Sequence, residues 1–95
     1  MNDKELVAYA ALDYVEDNSI VGLGTGSTAD IFIKMLAEKI SKESLNISVV
    51  ASSVISQKKA NEARLNYISI DQITSINLYV DGADEITQNL EILKG

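Results

Sequence analysis

A glycine-rich stretch near the beginning of the sequence places strong limits on the fold. Residues 24–28 read Gly-Thr-Gly-Ser-Thr and are called the glycine segment below. The apolar run from Ser19 to Leu23 precedes it and is typical of a short strand buried on both faces. The run from Thr28 or Ala29 to about Ile40 follows it and has the apolar content of a helix packed on a sheet. A strand, a glycine-rich loop and a helix in this order indicate an α/β unit.

The same alternation continues on both sides of this unit. Apolar residues at spacings of three and four predict an amphipathic helix ahead of the first strand, and they are Leu6, Val7, Ala10, Ala11, Tyr14 and Val15. The later predicted elements are a strand from Asn46 to Ala51, a helix capped by Ser53 and running to about Leu65, a short strand from Tyr67 to Ile70, a turn or single helical turn from Asp71 to Ser75, a strand ending at Val80, and a strand from Leu90 to Leu93. Strands that alternate with helices pair in parallel through right-handed crossovers.

We therefore predict an α/β fold, a Rossmann-like three-layer sandwich with a mostly parallel sheet. The 95 residues suffice for one small core and contain no linker-like segment, so residues 1–95 are assigned to a single domain with no second domain. A parallel sheet buries both faces only when all its crossover helices are present. Because the sequence stops two residues after the last predicted strand, we interpret it as the truncated N-terminal part of a larger domain.

The composition argues against several classes of function. The sequence contains neither cysteine nor histidine, which removes thiolate chemistry and the commonest metal ligand, and we predict no metal. A net charge of -6 with only eight scattered Lys and Arg residues argues against a nucleic-acid partner. No run approaches the roughly 20 apolar residues of a membrane span, and the N-terminus does not resemble a signal peptide. We therefore expect a cytoplasmic protein without a membrane partner.

The glycine segment has the features of an anion-binding loop. Backbone N–H groups at a helix N-terminus favour a phosphate, and the hydroxyl groups of Thr25, Ser27 and Thr28 are further donors. A tight turn without a ligand is the alternative. A dinucleotide is disfavoured because the second strand ends in Val50-Ala51-Ser52-Ser53, with no acid for a ribose diol, and no lysine occupies the P-loop position. A small monophosphorylated molecule fits these residues best.

Residues 81–85, Asp-Gly-Ala-Asp-Glu, are called the acidic segment and directly follow the strand that ends at Val80. In an open α/β sheet, the ligand crevice lies at the carboxyl ends of the strands. A loop there can present the carboxylates of Asp81 and Asp84 on one side, where two acids suit proton transfer to and from sugar hydroxyls. A magnesium site and a solvated Asp-Gly turn are the alternatives. Lys94, after the next predicted strand, can share the crevice or be a solvated lysine.

Three blocks of sequence together resemble ribose-5-phosphate isomerase A. They are IVGLGTGSTA at residues 20–29, YVDGADEI at residues 79–86 and LKG at residues 93–95. Their order and separation match that family, and the pattern of helices and strands between them agrees over the whole chain. The resemblance implies a cofactor-free aldose-ketose isomerase of the pentose phosphate pathway, which interconverts ribose 5-phosphate and ribulose 5-phosphate through an enediolate.

The resemblance also implies roles for individual residues. The implied substrate-binding residues are Thr25, Gly26, Ser27, Thr28, Asp81, Gly82, Ala83, Asp84, Lys94 and Gly95. Among them, Asp81, Asp84 and Lys94 are the implied catalytic residues. Asp81 would assist ring opening and proton movement, and the Lys94 ammonium would stabilise the developing oxyanion. Lys4 is similar to an N-terminal lysine of the family that contacts phosphate.

The proton-abstracting glutamate of the family lies a little beyond a Lys-Gly-Gly-Gly loop that this sequence enters only at Lys94 and Gly95. Less than half of a family member is covered, so we expect this chain alone to be inactive. For the full-length parent, the resemblance implies a homo-oligomer. A non-catalytic sugar-phosphate sensor module of the same fold, similar to the effector domains of sugar-responsive bacterial repressors, is the alternative function. A CoA-transferase-like relative is a third possibility that the acidic segment disfavours.

Overall fold

The computed structural model describes residues 2–82 and 85–92, which form a five-stranded sheet with three α-helices. The helices are α1 (Asp3–Leu12), α2 (Ser27–Glu43) and α3 (Val54–Glu62), and a 3-10 helix covers Ile70–Gln72. The strands are β1 (Ser19–Leu23), β2 (Ile47–Ala51), β3 (Asn66–Tyr67), β4 (Ser75–Val80) and β5 (Ile86–Glu91). The predicted Rossmann-like α/β class with a mostly parallel sheet is confirmed.

Strand β1 lies in the middle of the sheet, whose order is β3-β2-β1-β4-β5. The chain moves outward from β1 through β2 to β3, all in parallel, and then returns to the other side of β1 as the parallel strand β4. This reversal creates a topological switch point between the carboxyl ends of β1 and β4, where open α/β sheets bind their ligands. Leu23 pairs with Val80 at that edge, so the glycine and acidic segments leave the sheet side by side.

The buried core lies mainly between the helices and one face of the sheet. Its largest members are Phe32 and Leu36 from α2 with Leu23 and Leu78 from β1 and β4, all of them almost fully buried. The opposite face holds a smaller cluster of Val50, Ile73 and Ile76 that includes no helical residue among those described. There, the segment between β3 and β4 covers part of the sheet.

Helix α1 packs along α2 through a face that agrees only in part with the predicted one, since Ala11 and Val15 of the predicted set are buried. Leu6, Ala10 and Tyr14 are exposed, whereas Ala8 and Ala11 are fully buried. Alanine side chains are small, so the two helix axes can approach closely. Lys4 precedes Ala8 by four residues and therefore lies in the same row of side chains, toward α2.

Capping explains where the predicted helices begin. Asn2 and Glu5 form a capping box that starts α1, since the Glu5 N–H donates to Asn2 Oδ1 at 2.8 Å and the Asn2 N–H donates to Glu5 Oε1 at 3.2 Å. Ser53 caps α3 as predicted, because its Oγ accepts the Ser56 N–H at 3.1 Å. Ser44, at φ 53, ends α2 in the left-handed conformation.

The last part of the described chain differs most from the prediction. The strand predicted from Leu90 to Leu93 is instead β5, which begins at Ile86 and runs antiparallel to β4. Four of its six residues are exposed, and Asn89 has φ 54, so the apolar run that the prediction relied on is not what forms the strand. Glu91 pairs with Ser75, which places the end of β5 at the amino end of β4, opposite the crevice. Strand β3 covers Asn66–Tyr67, whereas the predicted strand ran from Tyr67 to Ile70. The turn or single helical turn predicted from Asp71 to Ser75 is a 3-10 helix over Ile70–Gln72.

No helix within the described residues is long and apolar enough to cross a membrane.

Candidate functional site

The glycine and acidic segments are in direct backbone contact at the switch point. The Gly24 N–H donates to the Val80 carbonyl oxygen at 2.8 Å, which continues the β1–β4 pairing into the loop. A β-carbon built on Gly24 would lie 2.8 Å from the Asp81 Cα, and one on Gly26 would lie 3.0 Å from the Gly82 Cα. The two loops therefore form one surface.

Glycine is required at this contact for two reasons. Gly26 has φ 101, a conformation that side chains with a β-carbon rarely adopt. A β-carbon on Gly82 would overlap the Thr25 carbonyl oxygen and would lie 2.7 Å from the Gly26 Cα. The sequence interpretation assigned the glycine segment to the binding of an anion. In the structure, the glycines also permit the approach of one segment to the other.

Helix α3 anchors the glycine segment through a hydrogen bond from a buried serine. The Ser56 hydroxyl donates to the Gly24 carbonyl oxygen at 2.6 Å, and Ser56 is 2% exposed. The Ser52 N–H donates to the Leu23 carbonyl oxygen at 3.0 Å. Sequence reasoning missed Ser56 as a site residue, because its partner lies 32 positions away and the local pattern shows only a helix start.

Helix α2 begins within the glycine segment, for which we predicted anion binding. Gly26 is the N-cap and makes no side-chain capping bond, and helix starts of this kind are common sites of anion binding in proteins. Thr25, Gly26 and Ser27 are exposed, whereas Thr28 is fully buried. The three exposed predicted residues thus face solvent together, and the Thr28 side chain lies in the core.

A lysine from α1 reaches this helix start. Lys4 Nζ donates to Ser27 Oγ at 2.5 Å, and both residues are exposed. The ammonium group is therefore held at the N-terminus of α2, where the helix dipole also favours negative charge. The row of Lys4, Ala8 and Ala11 on α1 explains this placement, because the alanines bring α1 against α2.

The described part of the acidic segment places one carboxylate at the same contact. Asp81 is half-buried, its Oδ1 accepts the Gly82 N–H at 2.7 Å, and its own N–H donates to the Glu85 carbonyl oxygen at 2.9 Å. A β-carbon on Gly24 would lie 2.5 Å from Asp81 Oδ1 and 3.0 Å from Tyr79 Oη. The Tyr79 hydroxyl thus lies on the same side of Gly24 as the carboxylate. The sequence analysis included Tyr79 in the block YVDGADEI but assigned it no role of its own.

Four predicted site residues, Ala83, Asp84, Lys94 and Gly95, lie outside the described residues. The distance between the Asp81 and Asp84 carboxylates is therefore not part of the described geometry. The prediction for Lys94 assumed that the next strand ends at the crevice, whereas β5 runs antiparallel to β4 and away from that edge. Among residues 2–82 and 85–92, no group of three or more acidic side chains is arranged to hold a metal ion.

Comparison with known proteins identifies the family. The sequence model of ribose 5-phosphate isomerase A (phosphoriboisomerase A) matches residues 48–95. Ribose-5-phosphate isomerase A of Pyrococcus furiosus is 43% identical over 93 residues, which are 97% of this chain and 41% of that protein. The corresponding enzyme of Maricaulis maris is 40% identical over 95 residues, which are 100% of this chain and 40% of that protein.

Solved structures agree with these matches. Ribose 5-phosphate isomerase A from Methanocaldococcus jannaschii superposes with a TM-score of 0.78 at 31% identity, over 82% of this chain and 34% of that one. A D-ribose-5-phosphate isomerase solved in complex with phospho-erythronic acid gives 0.77 at 38% identity, with the same coverage. The chain spans about 40% of the length of the curated relatives it matches. Since the family model covers half of the sequence and these relatives align with nearly all of it, the chain belongs to the ribose 5-phosphate isomerase A family.

Proposed function

We propose that this chain forms part of the sugar-phosphate site of an isomerase that interconverts ribose 5-phosphate and ribulose 5-phosphate. The observation that carries the proposal is the contact between the glycine segment and Asp81 at the β1–β4 switch point. It places anion-binding backbone groups beside a carboxylate. A relative that is 38% identical was solved with phospho-erythronic acid, a phosphorylated sugar acid, which supports a ligand of this class.

In this proposal, the start of α2 binds the phosphate group. The exposed N–H and hydroxyl groups of Thr25, Gly26 and Ser27 are donors, and Lys4 adds a positive charge next to Ser27. Hydrogen bonds from a charged donor to an anion are shorter and stronger than neutral ones. The local positive charge matters because the chain carries a net charge of -6 and would otherwise repel a phosphate.

Asp81 is proposed to act on the sugar end of the same ligand. Aldose and ketose phosphates are isomers, so the reaction moves protons between C1 and C2 and between their oxygens and needs no external oxidant. A carboxylate beside the sugar can accept and return hydroxyl protons during such a step. Asp84 and Lys94 keep their predicted catalytic roles, and Gly82, Ala83 and Gly95 keep their predicted binding roles, from the resemblance alone.

The abstraction of the C2 proton requires a base that we do not assign to this chain. We propose that the 95 residues bind the substrate without turning it over and that a longer protein with the family glutamate is active. The homo-oligomer and the cytoplasmic location stay predictions. The sensor-module alternative shares the binding step and differs only in the absence of turnover in the longer protein.

A chimeric protein separates these functions. Residues 1–95 would replace the matching part of the Pyrococcus furiosus relative, which supplies the remaining 59% of its own length (100 less the 41% matched). We expect the isolated chain to bind ribose 5-phosphate but not ribose, and the chimera to interconvert the two pentose phosphates. A folded chimera that binds the sugar phosphate without turnover would favour the sensor module. Turnover by the isolated chain would contradict the proposal that the proton-abstracting base lies outside these 95 residues.

A further inference from the structure

Ser56 is a buried polar residue to which the resemblance assigns no role. We propose that Ser56 is a positioning residue that orients the Thr25 N–H of the glycine segment toward a bound anion. The identity of that anion rests on the proposed function, whereas the orientation rests on the geometry of the unliganded chain.

The hydroxyl groups of Ser53 and Ser56 form a directed chain of hydrogen bonds. Ser53 Oγ accepts the Ser56 N–H at 3.1 Å and donates to Ser56 Oγ at 3.2 Å. Ser56 Oγ then donates to the Gly24 carbonyl oxygen at 2.6 Å. A serine hydroxyl has one proton to donate, so the Ser56 proton is committed to Gly24. The start of α3 thereby fixes the direction of one carbonyl group.

The planar peptide bond transmits this direction to the next residue. The bond between Gly24 and Thr25 is trans, and in a trans peptide the C=O and N–H groups point in opposite directions. Ser56 is buried beneath the loop, whereas Thr25 is exposed. The Thr25 N–H is therefore directed away from α3, and it has no hydrogen-bond partner within the described part of the chain.

Loss of the Ser56 hydroxyl would release this peptide plane. The Gly24 carbonyl would lose its hydrogen-bond donor, and a buried carbonyl without a partner is unfavourable. Glycine tolerates a wide range of backbone angles, so rotation of the Gly24–Thr25 peptide toward solvent is the available response. That rotation would turn a carbonyl oxygen toward the anion in place of the N–H group.

A pair of variants with nearly equal side-chain volume tests the role of the hydroxyl group. Ser56→Thr keeps it and Ser56→Val replaces it with a methyl group, so any packing cost is shared. We expect Ser56→Val to weaken binding of inorganic phosphate and ribose 5-phosphate by the 95-residue chain about tenfold, in line with one lost polar contact. We expect Ser56→Thr to stay within about twofold of the wild type.

A second measurement reports the backbone mobility of the glycine segment in the absence of any ligand. The NMR order parameter of the Thr25 amide should fall from the value of about 0.85 that marks a rigid backbone to below about 0.6 in Ser56→Val, and Ser56→Thr should restore it. Ser52→Ala removes an exposed hydroxyl next to the same helix and is the control, for which we expect no change.

Equal order parameters in the threonine and valine variants would overturn the proposal. A wild-type chain that binds neither phosphate nor the sugar phosphate would contradict the proposed function instead, because the difference in order parameter would persist. Should Ser56→Val fail to fold, Ser56→Ala removes the hydroxyl without added volume, and a wild-type order parameter there would equally overturn the proposal.

Discussion

The glycine segment and the acidic segment lie at the same edge of the sheet but are held in different ways. Three neighbouring elements fix the backbone of the glycine segment: β4 through Gly24 N, α3 through Gly24 O, and α2 through Gly26 O, which accepts the Asp30 N–H at 3.0 Å. The described hydrogen bonds of the acidic segment join Asp81 only to Gly82 and Glu85, within the segment itself. Asp81 is thus positioned by the turn between β4 and β5, which the Val80–Ile86 pairing closes, and by its contact with the glycine segment. A segment anchored by three elements of the fold thus adjoins the segment to which we assign proton transfer in the proposed function.

The largest expected effect separates chemistry from binding. In the chimera, Asp81→Asn should lower turnover about a thousandfold, because asparagine cannot accept or return a proton in the reaction. Asparagine keeps an oxygen for the Gly82 N–H, so the free energy of unfolding and the affinity for inorganic phosphate should change little. Enzyme assays and phosphate titrations measure the two effects. An undiminished rate would remove Asp81 from the mechanism.

A slightly smaller effect tests the contact between the two segments. Gly82→Ala should lower the free energy of unfolding by about 3 kcal/mol, because its β-carbon meets the Thr25 backbone, which cannot move without shifting both loops. Gly22→Ala is the matched control. Its β-carbon meets side-chain atoms of Tyr79 and Ile76, and it should lower the same free energy by about 1 kcal/mol. Equal losses in urea unfolding would mean that the loop contact is no tighter than an ordinary core contact.

A third prediction concerns the charge that α1 contributes to the glycine segment. Lys4→Met should weaken phosphate binding about tenfold at low salt, since a charged donor next to Ser27 is lost while most of the apolar stem is kept. The difference should shrink as the salt concentration rises, because exposed charges are screened. Lys42→Met, near the other end of α2, is the control. If both variants weakened binding equally, the effect would come from net charge and not from position.

The smallest expected change in phosphate affinity comes from an ion pair between α3 and the first turn of α2. Lys59 Nζ lies 2.6 Å from Asp30 Oδ2, and both side chains are more than a third exposed. Asp30 lies in the first turn of α2, where an unpaired negative charge would disfavour a phosphate. Lys59→Met should therefore weaken phosphate binding about twofold, the scale of an exposed ion pair, and high salt should remove the difference. An effect as large as that of Lys4→Met would contradict this ranking.

Elements with a strong local signal were predictable from the sequence. Strand β1 and the Ser53 cap of α3 were predicted correctly, because a buried apolar run and a capping serine carry their information in a few adjacent residues. Strand β5 was misplaced because its exposed residues depend on pairing with β4 rather than on an apolar run of their own. The buried face of α1 was also partly wrong, since packing against α2 selected alanines over larger residues.

In the candidate site, too, residues within local motifs were predicted and residues placed by long-range packing were not. The motifs indicated Thr25, Gly26, Ser27, Asp81 and Gly82, which the fold brings to one place, because each segment follows a parallel strand at the same edge. The contribution of Ser56 depends on a contact between residues far apart in sequence, and no local pattern indicates it. The Lys4–Ser27 bond depends in the same way on how α1 packs. Contacts between residues so far apart in the sequence cannot be predicted from the spacing of adjacent residues.

The two outer strands of the sheet have a consequence for the behaviour of the chain in solution. An outer strand with free N–H and C=O groups can recruit a strand from another molecule and start aggregation. Strand β3 offers two residues for such pairing, and β5 contains Asn89 at φ 54, a backbone angle outside the range of regular strands. Neither provides a long, regular template for a second copy. Within residues 2–82 and 85–92, we therefore expect the two outer strands to be poor templates for intermolecular strand addition.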